Sequence, residues 1–304
     1  MYSNGNGRGA SSPTKKVTVP EIRSRKGTGP AIAMVTAYDF TMARLMDEAG
    51  VDAILVGDSL GMVVLGYPDT LQVTVEDMLH HTRAAARGTQ RALLVGDMPY
   101  LSYHVSIEES VRNAGKFVRA GAHAVKIEGG KPQRIKTVEA MLDAEIPVMG
   151  HIGLTPQSVN ALGGFKLQGK AADDARRLVD EALALEQAGC FSIVLEMVPA
   201  ELAAIITERV TIPTIGIGAG PHCDGQVLVF HDLLGLYDGH VPRFVRQYAH
   251  AGDTMRAAIE QYLGDVREGR FPSDAESFHS GSADELRKLY GREHGGGEVV
   301  PLTR

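Results

Sequence analysis

Cysteine is scarce in this chain of 304 residues, which has only Cys190 and Cys223. They are too far apart for a CxxC pair and too few for a disulfide framework. This excludes a small disulfide-stapled scaffold and suits a reducing cytoplasm. Positive charge is in deficit: 31 Lys and Arg stand against 37 Asp and Glu, a net charge of −6, with an isoelectric point near 6.0. Without a basic footprint nucleic acid is not an expected partner, although a local cationic pocket remains open. Long apolar runs are missing too. No stretch approaches the roughly 18 residues that a bilayer crossing needs, and mean hydropathy is −0.07, so no membrane partner is expected and the chain reads as soluble.

What is present is globular in composition, with 44% apolar and 22% charged residues, enough for a sizeable core. Residues Met1 to Lys16 offer almost nothing to bury, so their ordering entropy cannot be offset, and residues 1–17 are expected to form a disordered tail. That stretch also lacks the apolar segment of a secretory leader. From about Phe271 the chain carries mixed charges and Gly295-Gly296-Gly297, which predicts a loosely held extension over 271–304. The body is then residues 18–270.

Within the body, short apolar runs alternate with longer helical patterns. Strands are predicted at Ala31 to Thr36, Ala53 to Gly57, Ala92 to Asp97, Ala124 to Glu128, Ile146 to His151, Ser192 to Glu196, Pro213 to Gly218 and Val227 to His231. Each is nearly continuously apolar, as expected of parallel strands covered on both faces. Helical patterns between them include Thr41 to Ala49, Val75 to Arg87, Ile107 to Ala120 and Ala172 to Ala188. Ala49-Gly50, Ala120-Gly121 and Ala188-Gly189 each close a helix shortly before a strand, where glycine supplies the left-handed residue that turns the chain back. Eight such units in about 250 residues predict an α/β fold, a (β/α)8 TIM barrel with flexible N- and C-terminal extensions. An open doubly wound sheet is the alternative, since the pattern carries no strand order.

In such a barrel chemistry sits at the C-terminal ends of the strands. Here those ends carry Asp58 and Ser59, then Asp97, Glu128, His151 and Glu196. Carboxylates converging on one mouth repel each other unless a cation lies between them or some are protonated. Oxygen ligands from Asp58, Asp97 and Glu128 favour Mg2+ over zinc. Each Asp could also simply cap the next helix. Lys126 stands two residues before Glu128, so the strand period aims both the same way; the pair reads either as a buried ion pair or as an ammonium awaiting a substrate carboxylate. Glu196, after the apolar Ser192-Ile193-Val194-Leu195, is placed as a candidate general base. The run Gly216 to Gly220 lacks the dinucleotide spacing GxGxxG. His80-His81 reads as a surface feature, and Met34, Met42, Met46 and Met62 as core filler.

At these residues the chain resembles the ketopantoate hydroxymethyltransferase family over roughly Val19 to Pro272. The segments that carry the resemblance, in order, are Thr36-Ala37-Tyr38-Asp39, Val56-Gly57-Asp58-Ser59-Leu60-Gly61-Met62, Val125-Lys126-Ile127-Glu128-Gly129-Gly130, Gly150-His151-Ile152-Gly153-Leu154-Thr155-Pro156-Gln157, Leu195-Glu196-Met197-Val198-Pro199 and Ile215-Gly216-Ile217-Gly218-Ala219-Gly220. The resemblance implies Mg2+ held by Asp58, Asp97 and Glu128. It implies a keto-acid site of Asp58, Ser59, Asp97 and Lys126, Glu196 as proton acceptor, and His151 in support. It further implies transfer of a hydroxymethyl group from 5,10-methylenetetrahydrofolate to 3-methyl-2-oxobutanoate, giving 2-dehydropantoate, by a cytoplasmic homo-decamer of the same barrel fold. The rival reading is a Mg2+-dependent C–C lyase of the phosphoenolpyruvate mutase and isocitrate lyase type; a ring-forming scaffold without activity would have no use for this set of strand-end charges.

Overall fold

A computed structural model describes residues 15–236, 239 and 241–290. Most of the expected N-terminal tail and the end of the C-terminal extension, including Gly295-Gly296-Gly297, lie outside the described residues. Eight strands, β1 (Ile32–Thr36), β2 (Ala53–Val56), β3 (Leu93–Asp97), β4 (Ala124–Glu128), β5 (Val148–Gly153), β6 (Ser192–Glu196), β7 (Thr214–Ile217) and β8 (Gly225–Leu228), pair in sequence order. All pairings are parallel, and β8 returns to β1 with Ile32 opposite Gly225, so the sheet is a closed barrel and not an open one. Closure happens at a glycine for a steric reason: a Cβ on Gly225 would lie 2.5 Å from the Ile32 carbonyl oxygen and 2.7 Å from the Ile32 Cβ.

Helices fill the connections: α1 (Val19–Ser24) before the barrel, then α2 (Phe40–Ala49), α3 (Leu60–Val63), α4 (Val75–Gly88), α5 (Ile107–Arg119), α6 (Pro132–Asp143), α7 (Val159–Leu162), α8 (Ala172–Ala188), α9 (Ala200–Arg209) and α10 (Phe230–Leu234). Local chemistry sets their ends. Thr74 and Asp77 form a reciprocal capping box at the start of α4, and Gly50, Gly121 and Gly189 have φ of +89°, +106° and +106°, the left-handed turn expected after α2, α5 and α8.

The apolar residues divide by strand period into two cores. Ile32, Met34, Ala53, Leu55, Leu93, Val95, Ala124, Met149, Val194, Ile215 and Val227 fill the barrel interior, joined by Val17 and Ile22. Their neighbours in the strands, such as Ile54, Leu94, Val125 and Ile193, pack outward under the helices. Val17, the last residue assigned to the tail by the sequence reading, is buried in this interior core, and its amide donates to the Arg91 carbonyl at 2.8 Å.

Two strands are displaced from their expected positions. Ile146 is not in β5: its amide donates to the Met141 carbonyl and closes the turn after α6. The eighth strand is Gly225–Leu228 and not Val227 to His231, because Phe230 opens α10 and its amide donates to Thr36 Oγ1. The described residues fall into two units, one ending at His250 and one starting at Ala251, so residues 251–270, counted with the body from sequence, belong to the second unit. That unit holds helix α11 (Ala251–Arg267) and helix α12 (Ala283–Tyr290), neither with a buried residue.

Candidate active site

The strand period that fills the barrel also builds the site. Leu93 and Val95 point inward, so Asp97 does too; Ala124 leads to Lys126 and Glu128, Met149 to His151, and Val194 to Glu196. Together with Asp58 and Ser59 after β2, these residues line one cavity of about 510 Å³. All six sequence candidates besides Glu196 therefore meet it in a single space.

The charges interlock. Lys126 Nζ is 2.8 Å from Asp97 Oδ1 and 3.3 Å from His151 Nδ1. The His151 ring spans two carboxylates, with Nδ1 3.5 Å from Glu128 Oε1 and Nε2 3.2 Å from Glu196 Oε2. Burial and the Lys126 charge oppose protonation of that imidazole, but the flanking Glu128 and Glu196 carboxylates outweigh them and push its pKa up to about 9. His151 thus lies between two acids that favour its protonated form. Glu196 faces this ring, so its surroundings are less apolar than the preceding strand residues suggest.

Four carboxylates against two cations leave the site short of positive charge. Burial, then the Asp97 and Glu128 charges, raise Asp58 well above the usual carboxylate range. Burial raises Asp97 also, in spite of Lys126, whereas the Glu128 carboxyl overcomes its burial through His151 and Lys126 and lies below its ordinary value. Asp97 Oδ1 and Glu128 Oε1 are buried, and their near partners are the ion-pairing Lys126 Nζ at 2.8 Å and His151 Nδ1 at 3.5 Å. Four carboxyls held by two basic groups, with Asp58 and Asp97 raised, offer oxygen donors of the kind that a hard cation takes. Among the described residues no group of three His, Cys, Asp or Glu side chains is set to hold a metal ion by itself; Mg2+ takes one or two carboxylates and completes its shell with water and substrate oxygens.

Sequence reasoning named Gln157 only as the last residue of a motif and missed its function in the site. Its amide nitrogen donates to Asp58 Oδ2 at 2.8 Å and to the Met98 carbonyl at 2.9 Å. Its amide oxygen accepts from the Tyr103 hydroxyl at 2.6 Å, and its backbone N–H donates to Glu128 Oε2 at 3.1 Å. With both donors and the acceptor engaged, the amide has one orientation. Tyr103 in turn accepts from the Glu128 amide at 3.1 Å and lies under the Arg134 guanidinium, 4.3 Å from its ring centre. Nothing in the spacing of Tyr103 or Arg134 signals this.

Ser59 Oγ is 3.0 Å from the Tyr38 hydroxyl. Met62 lines the cavity and is not core filler, whereas Met34 and Met46 are buried in the cores. His81 is half-buried with Nδ1 2.6 Å from the Tyr38 carbonyl, so of the His pair only His80 is a surface residue. After Glu196 the backbone turns at Met197, whose φ of +48° is left-handed and strained for a side chain of this kind; the amide of Met197 is tied to the Ile217 carbonyl at 2.9 Å, and Leu154 donates to the Glu196 carbonyl at 2.8 Å. The base candidate thus sits on a backbone held from both neighbouring strands.

Known proteins share this chain's sequence and its barrel. The family model for ketopantoate hydroxymethyltransferase matches residues 16–274. A 3-methyl-2-oxobutanoate hydroxymethyltransferase from Clostridium botulinum (strain Alaska E43 / Type E3) is 54% identical over 276 residues, 90% of this chain and 100% of its own length. Its counterpart from Syntrophus aciditrophicus (strain SB) is 55% identical over 265 residues, covering 87% of this chain and 97% of its own length. Solved structures share the barrel at lower identity. Phosphoenolpyruvate phosphomutase from Streptomyces platensis subsp. rosaceus has a TM-score of 0.57 at 15% identity, over 90% of this chain and 95% of its own. Phosphonopyruvate hydrolase in complex with oxalate and Mg2+ has a TM-score of 0.55 at 15% identity, over 91% and 99%. Identity above one half along nearly the whole length of such relatives is decisive: the chain belongs to the ketopantoate hydroxymethyltransferase family and is a transferase enzyme.

Proposed function

We propose that this enzyme moves a hydroxymethyl group from 5,10-methylenetetrahydrofolate to 3-methyl-2-oxobutanoate, forming 2-dehydropantoate through an enolate of the keto acid. The observation that carries the reading is the buried ammonium of Lys126 at the strand ends, paired with Asp97 and beside the buried carboxyls of Asp58 and Glu128. An anion with a neighbouring carbonyl finds there both a fixed positive charge and room for a cation. Asp58, Asp97 and Glu128 are the residues that would hold Mg2+, whose contribution when bound is Lewis-acid stabilisation of charge developing on the keto oxygen, worth several kcal/mol. The Mg2+ and oxalate named with the phosphonopyruvate hydrolase structure support this reading by likeness of fold.

The protein's own groups supply the rest. Lys126 receives the substrate carboxylate, a charge-assisted contact in a desolvated site. Asp58 and Ser59 border the same end of the cavity. The Glu196 carboxylate takes the C3 proton, a step in which a placed base contributes typically 10²–10⁴-fold. His151, held by Glu128 on its far side, keeps that carboxylate aimed and leaves a compensating positive charge next to the forming enolate. Water opens the donor's methylene bridge, both C–N bonds breaking with their electron pairs going to the nitrogens, and the carbanion carbon adds to the resulting one-carbon carbonyl, whose oxygen takes up the proton and becomes the product hydroxyl as tetrahydrofolate is released.

Proton NMR of 3-methyl-2-oxobutanoate in D2O tests this directly. Mg2+-dependent loss of the C3 proton signal, followed by a hydroxymethyl resonance once methylenetetrahydrofolate is added, is the expected result. Absence of exchange in folded, Mg2+-supplied protein would refute it. The shared barrel also admits the lyase-type reading, but no cysteine is among the residues lining this cavity, and burial pushes the Cys190 thiol up to about 12, which leaves that group inert.

We further infer a cytoplasmic homo-oligomer, a decamer by resemblance to the family. It is supported by the apolar stripe of Met255, Ile259, Tyr262, Leu263 and Val266 along α11, whose spacing places them on one helix face. Light scattering of the purified chain gives the copy number. No helix among the described residues is long and apolar enough to cross a membrane.

A further inference from the structure

The cavity is larger than a five-carbon acid requires, and its wall is not uniform. Its acids and bases come from the ends of β2 to β6. The side formed by β1, β7, β8 and the chain beyond is lined by Ile217, Val227, Leu228, Val229, Pro242 and Phe244. One anionic side chain breaks that apolar side: Asp232 on α10. It is half-buried, no cation or hydrogen-bond donor among the described residues reaches its carboxylate, and burial alone raises its pKa. It does not cap its own helix, whose first residue has no side-chain cap.

A half-buried carboxylate that opens on a cavity among apolar side chains is placed to accept from the N–H groups of a ligand there. That ligand is not the keto acid, which is itself an anion and belongs with Lys126. Asp232 also lies on the flank of Tyr38: burial, the main cause, pushes that phenol up, and the charges of Asp232 and Asp58 add to the effect. The Tyr38 hydroxyl is 3.0 Å from Ser59 Oγ in the keto-acid half. Asp232 and Ser59 both line the one cavity, so a second ligand in the apolar half shares that space with the first.

We propose that Asp232 binds the one-carbon donor by accepting from the ring N–H and exocyclic NH2 of its 2-amino-4-oxo heterocycle, with that flat ring lying against Phe244, Pro242 and Leu228. An ionised carboxylate has acceptors only, and two adjacent N–H groups on one planar edge match its two oxygens. The proposal rests on the reading above that the donor is a reduced folate.

The test is titration calorimetry of tetrahydrofolate, and separately of tetrahydropterin lacking the glutamate tail, into wild type and Asp232→Asn, each saturated with keto acid and Mg2+. The C3 proton exchange of the keto acid alone is measured in parallel. The amide keeps the shape of the carboxylate but sets an NH2 against the ligand's donors. Asp232→Asn is expected to weaken both ligands tenfold or more, and to raise the donor KM far more than it changes the exchange rate. Equal affinity of wild type and Asp232→Asn for tetrahydrofolate overturns the assignment. Loss of affinity for tetrahydrofolate with none for tetrahydropterin also overturns it, since the contact is then with the tail. Wild type that exchanges the proton yet binds neither ligand overturns the folate reading, and the assignment with it.

Discussion

Gln157 offers the sharpest test of how the site is held together. Gln157→Met keeps the length and volume of the side chain while removing its two donors and its acceptor. If the residue only filled space, a volume-conserving exchange of this kind would cost less than about 1.5 kcal/mol. The structure argues for more. The change strips the donor from Asp58 Oδ2, the partner from the Met98 carbonyl and the acceptor from the Tyr103 hydroxyl, all in buried surroundings. An orphaned buried polar group costs about 1–3 kcal/mol and a charged one more. Partial relaxation and protonation of Asp58, already raised, reduce the sum, so a net loss of about 3–5 kcal/mol is expected. At about 2–4 °C per kcal/mol for a domain of this size, the melting temperature should fall by about 6–20 °C. Urea unfolding and calorimetry in EDTA read this without interference from metal. A loss below about 1.5 kcal/mol would refute the view that the side-chain amide ties Asp58, Met98 and Tyr103 together. In the same variant the KM for the keto acid should rise, because the Asp58 carboxyl loses the donor that orients it, while the backbone contact to Glu128 stays.

Other substitutions probe separate links. Glu196→Gln should retain keto-acid affinity while turnover and C3 exchange fall by about 10²–10⁴-fold; near-normal exchange removes Glu196 as the base. Gly225→Ala should destabilise the protein by about 1–3 kcal/mol or prevent folding, since the added Cβ meets the Ile32 backbone across the barrel closure; a variant as stable as wild type in urea contradicts that geometry. His123 Nδ1 accepts from the Leu94 amide at 2.9 Å, which requires the neutral ring, and burial followed by the Lys16 charge depresses its pKa. The folded pKa is below the unfolded value near 6.5, so its stabilising contribution is complete above about pH 6.5 and is lost as pH falls through the folded pKa. His123→Gln should flatten the fall in unfolding free energy over that window, and an unchanged slope counts against the neutral acceptor.

Much of this architecture was legible because a strand has only two faces. Once Leu93 and Val95 are assigned to the interior, Asp97 has no other direction to point, and the same holds for Lys126 with Glu128 and for His151 and Glu196. Polar residues ending apolar runs were therefore readable as one ring without knowing any distance. Strand boundaries were harder wherever backbone bonds decide them. Ile146 is as apolar as its neighbours, and only its bond to Met141 places it in a turn. The eighth strand begins at a glycine, a poor strand former, which is tolerated because nothing larger fits against Ile32. Gln157 was opaque for another reason: it acts on Asp58 from 99 residues away, and an amide carries no spacing rule comparable to that of paired carboxylates. Asp232 was hidden by the misplaced strand, since an alternation rule extended past Leu228 assigns no meaning to a residue on a helix.

The order of the strands around the barrel gives this division of polar and apolar walls a mechanistic sense. β2 to β6 contribute the charged groups, and β7, β8 and β1 contribute almost none. Glu196 ends β6, which pairs with β5 on the charged side through Gly153 and with β7 on the apolar side through Ile217. The base candidate thus stands on the border between the two halves, next to Met197 and Ile217 on one flank and His151 on the other. A carbon that loses its proton at this border is left with its electron pair facing the apolar half, where an attacking carbanion needs its electrophile and where water, which would return the proton, is least welcome. A base deeper among the acids, at Asp97 or Glu128, would free the electron pair toward the charged groups around Lys126. The placement of Glu196 at the seam therefore suits a reaction that joins two substrates better than one that splits a single substrate held among the charges.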